Sequence, residues 1–432
     1  MKYHLVQLGC QMNISDGERV QQVLDRMGFV PTDHEEEANL LGVIACSVRQ
    51  KGIDKVYSKI DKWNKWKNDR NLITFVSGCV LPADRERFLK LFDMVFPMSD
   101  LPEFPEMISQ YGIVTAAGLQ VHDNGFKDLR SSLKSNSGSN GHSFKITETP
   151  ARRHEKSLLR PDKGIDEFWH ISPKYSSGFE AYIPIQNGCN KFCTFCAVPY
   201  TRGREVSRPS SEILAELKTL VEKGYKSITL LGQNVNSYGL DKKGEELTFA
   251  ELLEEIGKYG DISNRDFWVY FTSPHPRDMG DDVLEVIAAH SCLARQIHLP
   301  VQSGDDGVLV RMNRKHSMEK YREIVHSIRR LLPEATLFTD IIVGFTGETE
   351  EEFEHTREIM AEFKYNMAYI AQYSPRPGAA SSRWKDDIPK EVKKLRYHAL
   401  TEELMKHSQA YNNNLIGKSM KVLVRGEDRK EG

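Results

Sequence analysis

The chain has 432 residues, too many for one ordinary hydrophobic core, and this points to two or three domains. It is 39% hydrophobic and 28% charged, with a formal net charge of −2, so no global basic field exists and any nucleic-acid contact must come from local patches. No apolar stretch reaches the roughly 20 residues of a membrane helix, and the N-terminus lacks a signal-peptide cleavage pattern. A globular, cytoplasmic protein with no membrane partner is expected.

The first 120 residues alternate strands and helices. Apolar runs at Tyr3–Leu8, Leu40–Ala45, Leu72–Ser77 and Met94–Phe96 predict strands, separated by segments of helical composition. Ser15, followed three residues later by Glu18, has the pattern of a capping box and predicts the opening of the first helix. Such a βαβα order implies a doubly wound parallel sheet. Cys10, Cys46 and Cys79 each follow one of its first three strands. The carboxyl ends of parallel strands lie along one rim, so these cysteines can converge, although three independent buried thiols remain an open reading at this level.

Residues 121–177 differ in character. Ser131 to Gly141 is poor in apolar and rich in small polar residues, which predicts a flexible linker. Arg152, Arg153, Lys156, Arg160 and Lys163 follow, diluted by Glu155 and Asp162. This composition suits a solvated linker better than an RNA-contacting arm.

From Gly178 the alternation resumes. Strands are predicted at Ala181–Ile185, Ser227–Leu231, Phe267–Phe271, Gln296–Val301, Leu337–Val343 and Met367–Gln372, with helices such as Ser210–Glu222 and Thr349–Phe363 between them. Six βα units suffice for an open, partial barrel with its working residues at the carboxyl ends of the strands. A long helix over Lys390–Asn412 completes a domain at 178–412, and Ser419–Val424 reads as β-like within a last segment, 413–432.

Seven cysteines in a chain without a secretion signal argue for metal or redox chemistry over disulfides. Cys292 has no partner pattern and reads as a small core residue. Cys189, Cys193 and Cys196 stand as C-x3-C-x2-C just beyond the strand ending at Ile185. Three thiolates so spaced can grip three corners of an iron–sulfur cube and leave one iron open to a ligand. A zinc ribbon would need a fourth ligand, and no nearby Cys or His supplies it.

The string from Gly188 to Pro209, with Cys189-Asn190-Lys191-Phe192-Cys193-Thr194-Phe195-Cys196 and Pro199-Tyr200-Thr201-Arg202-Gly203-Arg204, resembles the radical S-adenosylmethionine methylthiotransferase family. Within it, the branch acting on isopentenylated adenosine in tRNA is the most similar. The resemblance covers almost the whole chain. It extends to Leu230-Leu231-Gly232-Gln233-Asn234-Val235-Asn236, His298-Leu299-Pro300-Val301-Gln302-Ser303-Gly304, Asp340-Ile341-Ile342-Val343-Gly344-Phe345-Thr346 and Tyr373 to Gly378, each ending a predicted strand.

The resemblance implies that Cys189, Cys193 and Cys196 form the catalytic centre, holding a 4Fe–4S cluster whose open iron chelates S-adenosylmethionine. Phe195, Gly232, Gln233, Asn234, Gln302, Ser303, Val343 and Gly344 are then the cofactor-contacting positions, with Gly344 allowing close backbone approach. Cys10, Cys46 and Cys79 are implied to hold an auxiliary 4Fe–4S cluster. The implied activity is hydrogen abstraction from carbon 2 of an N6-isopentenylated adenosine beside the tRNA anticodon, then sulfur insertion and methylation with a second S-adenosylmethionine. The target base must be unpaired for its Watson–Crick edge to be reached. Tyr200, Arg202 and Arg204 are candidates for base or phosphate contacts, with ordinary charged loop residues as the alternative.

An external one-electron reductant is expected as a partner, the sulfur donor is not identifiable, and a monomer is expected. The sister enzymes that modify threonylcarbamoyl-adenosine in tRNA or an aspartate of a ribosomal protein, and a noncatalytic two-cluster electron carrier, are the rival readings. The chain departs from the family pattern at Gly17, Ala45, Val80-Leu81-Pro82 and Thr346, none of which removes a cysteine. Of the family's small β-barrel RNA-binding domain, of TRAM type, only a beginning from about Ile416 is expected.

Overall fold

The computed structural model describes residues 1–47, 50–111 and 164–424. The serine-rich stretch 131–141 and the basic residues up to Lys163 lie outside them. Near the N-terminus, five strands form one parallel sheet: β1 (Lys2–Gln7), β2 (Val30–Pro31), β3 (Leu40–Cys46), β4 (Ile73–Cys79) and β5 (Met94–Val95), in the order β2-β1-β3-β4-β5. Every residue of β3 is buried, as the run Leu-Leu-Gly-Val-Ile-Ala-Cys demands of a central parallel strand covered on both faces. Helix Gln11–Arg26 packs Val20 and Leu24 on one face, and helix Gln50–Trp66 packs Val56, Ile60 and the fully buried Trp63 on the other.

The first helix begins earlier than the sequence pattern predicts. It opens at Gln11 with Cys10 at its N-cap, which places Ser15 and Glu18 inside it, both buried. The apparent capping pair makes other contacts instead. Glu18 accepts hydrogen bonds from the backbone N–H and hydroxyl of Ser176, at 2.8 and 2.7 Å, and the Ser15 hydroxyl accepts from Arg19 at 2.7 Å. Arg19 lies one turn along the same helix and Ser176 is remote in sequence, and together they take the groups that a capping pair would have used.

Residues 164–177 are ordered against the first domain. A short helix, Ile165–Trp169, inserts Ile165, Phe168 and Trp169 into the core formed by Tyr3, Val20, Phe75 and Phe104. Lys174 then pairs with Asp25 at 2.5 Å.

The second half carries six parallel strands in two sheets. β6 (Glu180–Pro184), β9 (Ser227–Leu231) and β10 (Trp268–Phe271) form the first, in the order β10-β9-β6. Between them β7 (Gln186–Asn187) and β8 (Val206–Ser207) make a two-stranded antiparallel ribbon that carries the cysteine loop. β11 (Gln296–His298), β12 (Thr336–Val343) and β13 (Met367–Gln372) form the second sheet. One hydrophobic core spans both, from Ile183, Leu230 and Val269 to Ile297, Ile341 and Val343. The bridge Val269–Leu293 links the edge of one sheet to the lead-in of the other. Helices Phe249–Ile262 and Glu350–Phe363 each begin at a complete capping box, Thr248 with Glu251 and Thr349 with Glu352.

Helix Lys390–Asn413 ends the regular structure. The β-like run from Ser419 forms no strand through Val424, since a strand exists only through a paired neighbour and none faces it among the described residues. Its Lys421 instead meets Asp266 at 2.5 Å. Among the described residues, no helix is long and apolar enough to cross a membrane.

Candidate active site

The N-terminal cysteines meet at one rim. β3 and β4 run parallel in register with Cys46 opposite Cys79, so these side chains leave the same face of neighbouring strands. Cys10 arrives at the N-cap of the first helix, after only two residues beyond β1. The loop is pressed onto Cys46: a Cβ placed on Gly9 would lie 2.7 Å from the Cys46 Cβ. Asn13 sits between the sulfurs, with its Oδ1 3.8 Å from Cys10 Sγ and 3.7 Å from Cys79 Sγ. Its amide nitrogen is tied to the carbonyls of Leu8 and Ala45, both at 2.7 Å, which locks the loops after β1 and β3 together.

The second triad lies in the loop between β7 and β8. Gly188 opens it with φ +81°, and an added Cβ would stand 2.0 Å from the Arg204 carbonyl oxygen. Only glycine fits so close an approach in that conformation. The loop is fastened at three further points. Cys189 N–H donates to Gly203 O at 3.2 Å, Thr194 N–H to Met312 O at 3.0 Å, and the Asn313 amide to Phe192 O at 2.9 Å. Arg314 directs a nitrogen at Cys193 Sγ, 3.6 Å away.

Burial pushes the thiols of Cys79, Cys189 and Cys196 up to about 12. Within each triad the neighbouring cysteines add to that rise, which places the three sulfurs in one electrostatic environment. Buried thiols of this kind lose their protons to a metal, not to water. No group of three His, Cys, Asp or Glu side chains among the described residues is disposed to hold a single ion. Three cysteine thiols per site match the donor set of a cubane cluster, which takes one thiolate per iron.

The expected cofactor positions divide into two groups. Gly232, Gln233 and Asn234 follow β9, and Gln233 accepts a hydrogen bond from Gly188 N–H at 2.5 Å, which ties this turn to the cysteine loop. Asn234 is buried, with its nitrogen 3.2 Å from Asp278 and its Oδ1 without a protein partner. Gln302 and Ser303 lie beyond β11. Gln302 has φ +75°, and its backbone joins β12 through bonds to Asp340 and Ile342. Ser303 is buried on Thr356 at 3.3 Å.

Val343 ends β12 within the core. The space beside Gly344 is taken by the stem of Lys393, 2.3 Å from a would-be Cβ, and Gly344 N–H donates to Glu348 at 2.6 Å. The Cβ side of Gly344 is thus occupied by helix Lys390–Asn413. Phe195 packs with Val308, Met312, Phe345 and Tyr373 in a small apolar cluster beside the cysteine loop.

Several residues that the sequence did not single out surround this centre. Lys191, inside the cysteine loop, forms a buried ion pair with Asp278. Burial pushes the Asp278 carboxyl up, but hydrogen bonds from Lys191 and Arg277 outweigh it and hold it below its ordinary value. His275 and His316 stand ring to ring at 5.7 Å. Burial, with Arg314 adding to it, holds both imidazoles far below their usual range. His275 Nδ1 accepts from Arg277 N–H at 3.1 Å, while its Nε2 and both nitrogens of His316 have no protein partner. Each orphaned buried nitrogen costs about 1–3 kcal/mol, which a polar ligand would relieve. The only sequence signal for them was position: Ser273-Pro274-His275-Pro276 follows β10, at the carboxyl end where a parallel sheet places its working residues.

Arg202 is not the exposed phosphate contact that its loop position allowed. It is buried, paired with Asp16. Arg204 stacks its guanidinium 5.9 Å from the Phe192 ring.

The sequence matches the Radical SAM superfamily over residues 183–360 and an uncharacterised protein family, UPF0004, over residues 2–97. The tRNA-2-methylthio-N(6)-dimethylallyladenosine synthase of Carboxydothermus hydrogenoformans is 37% identical over 99% of this chain and 88% of its own length. The Ehrlichia chaffeensis protein of the same name is 34% identical over 98% and 87%. The radical S-adenosylmethionine methyltransferase of Kitasatospora setae, solved with cobalamin and a [4Fe-4S] cluster bound, shares the fold. Its TM-score is 0.52 at 14% identity, over 88% of this chain and 76% of that one. The chain therefore belongs to the radical S-adenosylmethionine methylthiotransferase family, among the tRNA-2-methylthio-N(6)-dimethylallyladenosine synthases.

Proposed function

We propose that this chain is an enzyme that converts N6-isopentenylated adenosine beside the tRNA anticodon to its 2-methylthio derivative. Membership of the superfamily implies a 4Fe–4S cluster and S-adenosylmethionine. In this reading Cys189, Cys193 and Cys196 hold that cluster, and Cys10, Cys46 and Cys79 hold a second one. When bound, the first cluster would supply the electron that cleaves S-adenosylmethionine for hydrogen abstraction at carbon 2, the second would supply sulfur, and another S-adenosylmethionine would supply the methyl group.

The chain's own residues supply the frame. Gly188 and the bond from its N–H to Gln233 set the height of the cysteine loop above β9. In this reading Gly232, Gln233, Asn234, Gln302, Ser303, Val343 and Gly344 contact the cofactor, beside the apolar cluster of Phe195, Phe345 and Tyr373. His275, His316 and Asn234 offer buried hydrogen-bonding atoms without protein partners, suited to a polar ligand. The observation carrying the reading is that two separate cysteine triads, one per domain, lie on either side of buried Arg202, which follows the second triad and donates to Cys79 of the first at 3.0 Å.

Mass spectrometry of anticodon-loop nucleosides, from a strain lacking this gene and from one with it restored, tests the substrate. Loss of the 2-methylthio mark from isopentenyl-adenosine, and its return, is expected. Persistence of the mark in the deletion strain would sink the assignment. Reduced, reconstituted protein should also release 5′-deoxyadenosine, whereas a simple electron carrier would release none. Cys10→Ala is expected to retain that release and abolish methylthiolation; loss of both would mean that the N-terminal cysteines serve the second site or its folding.

A further inference from the structure

Arg202 ends the short helix Val198–Arg202, which begins two residues after Cys196. Its backbone thus continues the second cysteine loop, while its side chain crosses to the first domain. Nε donates to Cys79 Sγ at 3.0 Å, one terminal nitrogen donates to Asn187 Oδ1 at 3.3 Å, and the other donates to Asn13 Oδ1 at 3.3 Å and to Asp16. Its own carbonyl accepts from the Asn187 amide at 3.0 Å, which fixes the helix end from which the side chain departs.

Asp16 is fully buried, its Oδ1 has no hydrogen-bond partner, and its other oxygen balances the Arg202 guanidinium. With that charge balanced, an ion pair alone would explain burial of the arginine. It does not explain Nε. A guanidinium is donor-only, and its planar fork spends one arm on a sulfur when Asn13 and Asp16 already lie within reach of the other. A donor to sulfur stabilises the electron-rich thiolate, and hydrogen bonds to cysteine sulfurs tune the potential of an iron–sulfur centre.

We propose that Arg202 is a positioning residue for the N-terminal cluster: it orients the Cys79 ligand, raises that cluster's reduction potential and fixes its distance from the second cysteine loop. The proposal rests on the reading of Cys79 as a cluster ligand given above. A mechanical tie between Cys196 and Cys79 through one side chain makes the geometry of one triad answer to that of the other.

The test uses full-length protein in which Cys189, Cys193 and Cys196 are all changed to alanine, so that only the N-terminal cluster is reconstituted. Iron and sulfide content, electron paramagnetic resonance of the reduced cluster and a redox titration are read in this background with Arg202→Lys and with Asp16→Asn. Lysine keeps a cation opposite Asp16 but presents a point charge in place of the fork. The expected result is a more negative midpoint potential and a changed resonance signal for Arg202→Lys. In the otherwise native chain the same substitution should lower methylthiolation by about 10- to 100-fold, the range for loss of an outer-shell partner.

Asp16→Asn keeps the donor to Cys79 and should move the potential the other way, with a lower melting temperature. Arg202→Lys protein with native iron content and an unmoved potential and signal would overturn the proposal and leave Arg202 as an ion-pair partner alone. If Arg202→Lys fails to assemble a cluster, Arg202→Gln, which retains a donor amide, should restore assembly; failure there, with a folded chain, would overturn the positioning role. Absence of any cluster in the background protein itself would defeat the earlier reading of Cys10, Cys46 and Cys79, a result distinct from these.

Discussion

Replacing Gly188 by alanine imposes two costs that its neighbours allow to be separated. The residue has φ +81°, where a Cβ costs about 1–2 kcal/mol against the following carbonyl. That Cβ would also stand 2.0 Å from the Arg204 carbonyl oxygen, so the backbone must open by about 1.4 Å to regain the 3.4 Å of ordinary contact. Such overpacking adds about 1–3 kcal/mol, for a total of roughly 2–5 kcal/mol. Gly224, at φ +92° with nothing within 4 Å of its Cβ position, should show the strain alone, about 1–2 kcal/mol. Gly178, with neither strain nor a neighbour, should gain about 0.4–1 kcal/mol as alanine through the unfolded chain.

At about 2–4 °C per kcal/mol for a domain of 150–250 residues, Gly188→Ala should melt on the order of 10 °C below the native protein. Gly224→Ala should fall only a few degrees. Thermal scans at one fixed rate on anaerobic holoprotein, with iron per chain measured on the same samples, check the series. Gly188→Ala should also lose iron from the second triad, since Cys189 hangs on the displaced bond to Gly203. Equal melting temperatures for Gly188→Ala and Gly224→Ala, with native iron, would refute the collision with Arg204.

Other expectations follow from buried charge, core volume and bound metal. Arg396 contacts Glu348 at 2.7 Å with both buried, so Arg396→Leu should cost about 3–5 kcal/mol by denaturant titration, because burial already pushes the Glu348 carboxyl up and its counter-charge is gone. Trp63→Ala should cost about 3–5 kcal/mol in the first domain, with β3 and helix Gln50–Trp66 losing hydrogen-exchange protection first. At His290, burial disfavours the charged ring, but bonds to Glu254 at 3.0 Å and Asp261 at 2.7 Å outweigh it and raise its pKa above 6.5. The stabilisation is thus full below the unfolded value and is lost as pH rises through the folded one. His290→Gln should flatten the pH profile of stability in that window, and an unchanged slope would contradict the assignment. Chelation of iron from holoprotein should lower the melting temperature, as removal of any ligand that binds only the folded state must.

Much of this architecture was legible because the strands are continuous buried apolar runs and the cysteines close them or follow shortly after. The runs ending at Ala45 and Ser77 each fall short of the true strand end by one or two residues, and Cys46 and Cys79 are the last residues of β3 and β4. Motifs at Gly232 and Gln302 likewise lie past strand ends, and chain order alone sufficed to place them. Contacts between distant residues were not legible. Arg202 meets Asp16 across 186 positions and Cys79 across 123, and no local period encodes such pairs. Ser15 and Glu18 show the converse failure, a local pattern overridden by Arg19 and Ser176. Lys191 with Asp278, and His275 with His316, form one polar cluster from three separate loops. Each residue alone resembled ordinary loop chemistry.

The in-register pairing of Cys46 with Cys79 makes the sheet a ruler. Successive residues of a strand face opposite sides, so deleting a single residue within Leu40–Cys46 or Ile73–Cys79 would turn one thiol to the far face. Length changes in the turn between Trp66 and Ile73 carry no such consequence, because the ladder resets the register at Ile73 opposite Leu40. Homologous chains should accordingly vary in length at that turn and not inside either strand, and a tolerated deletion within β3 would require the cysteine to move by one position to keep its face.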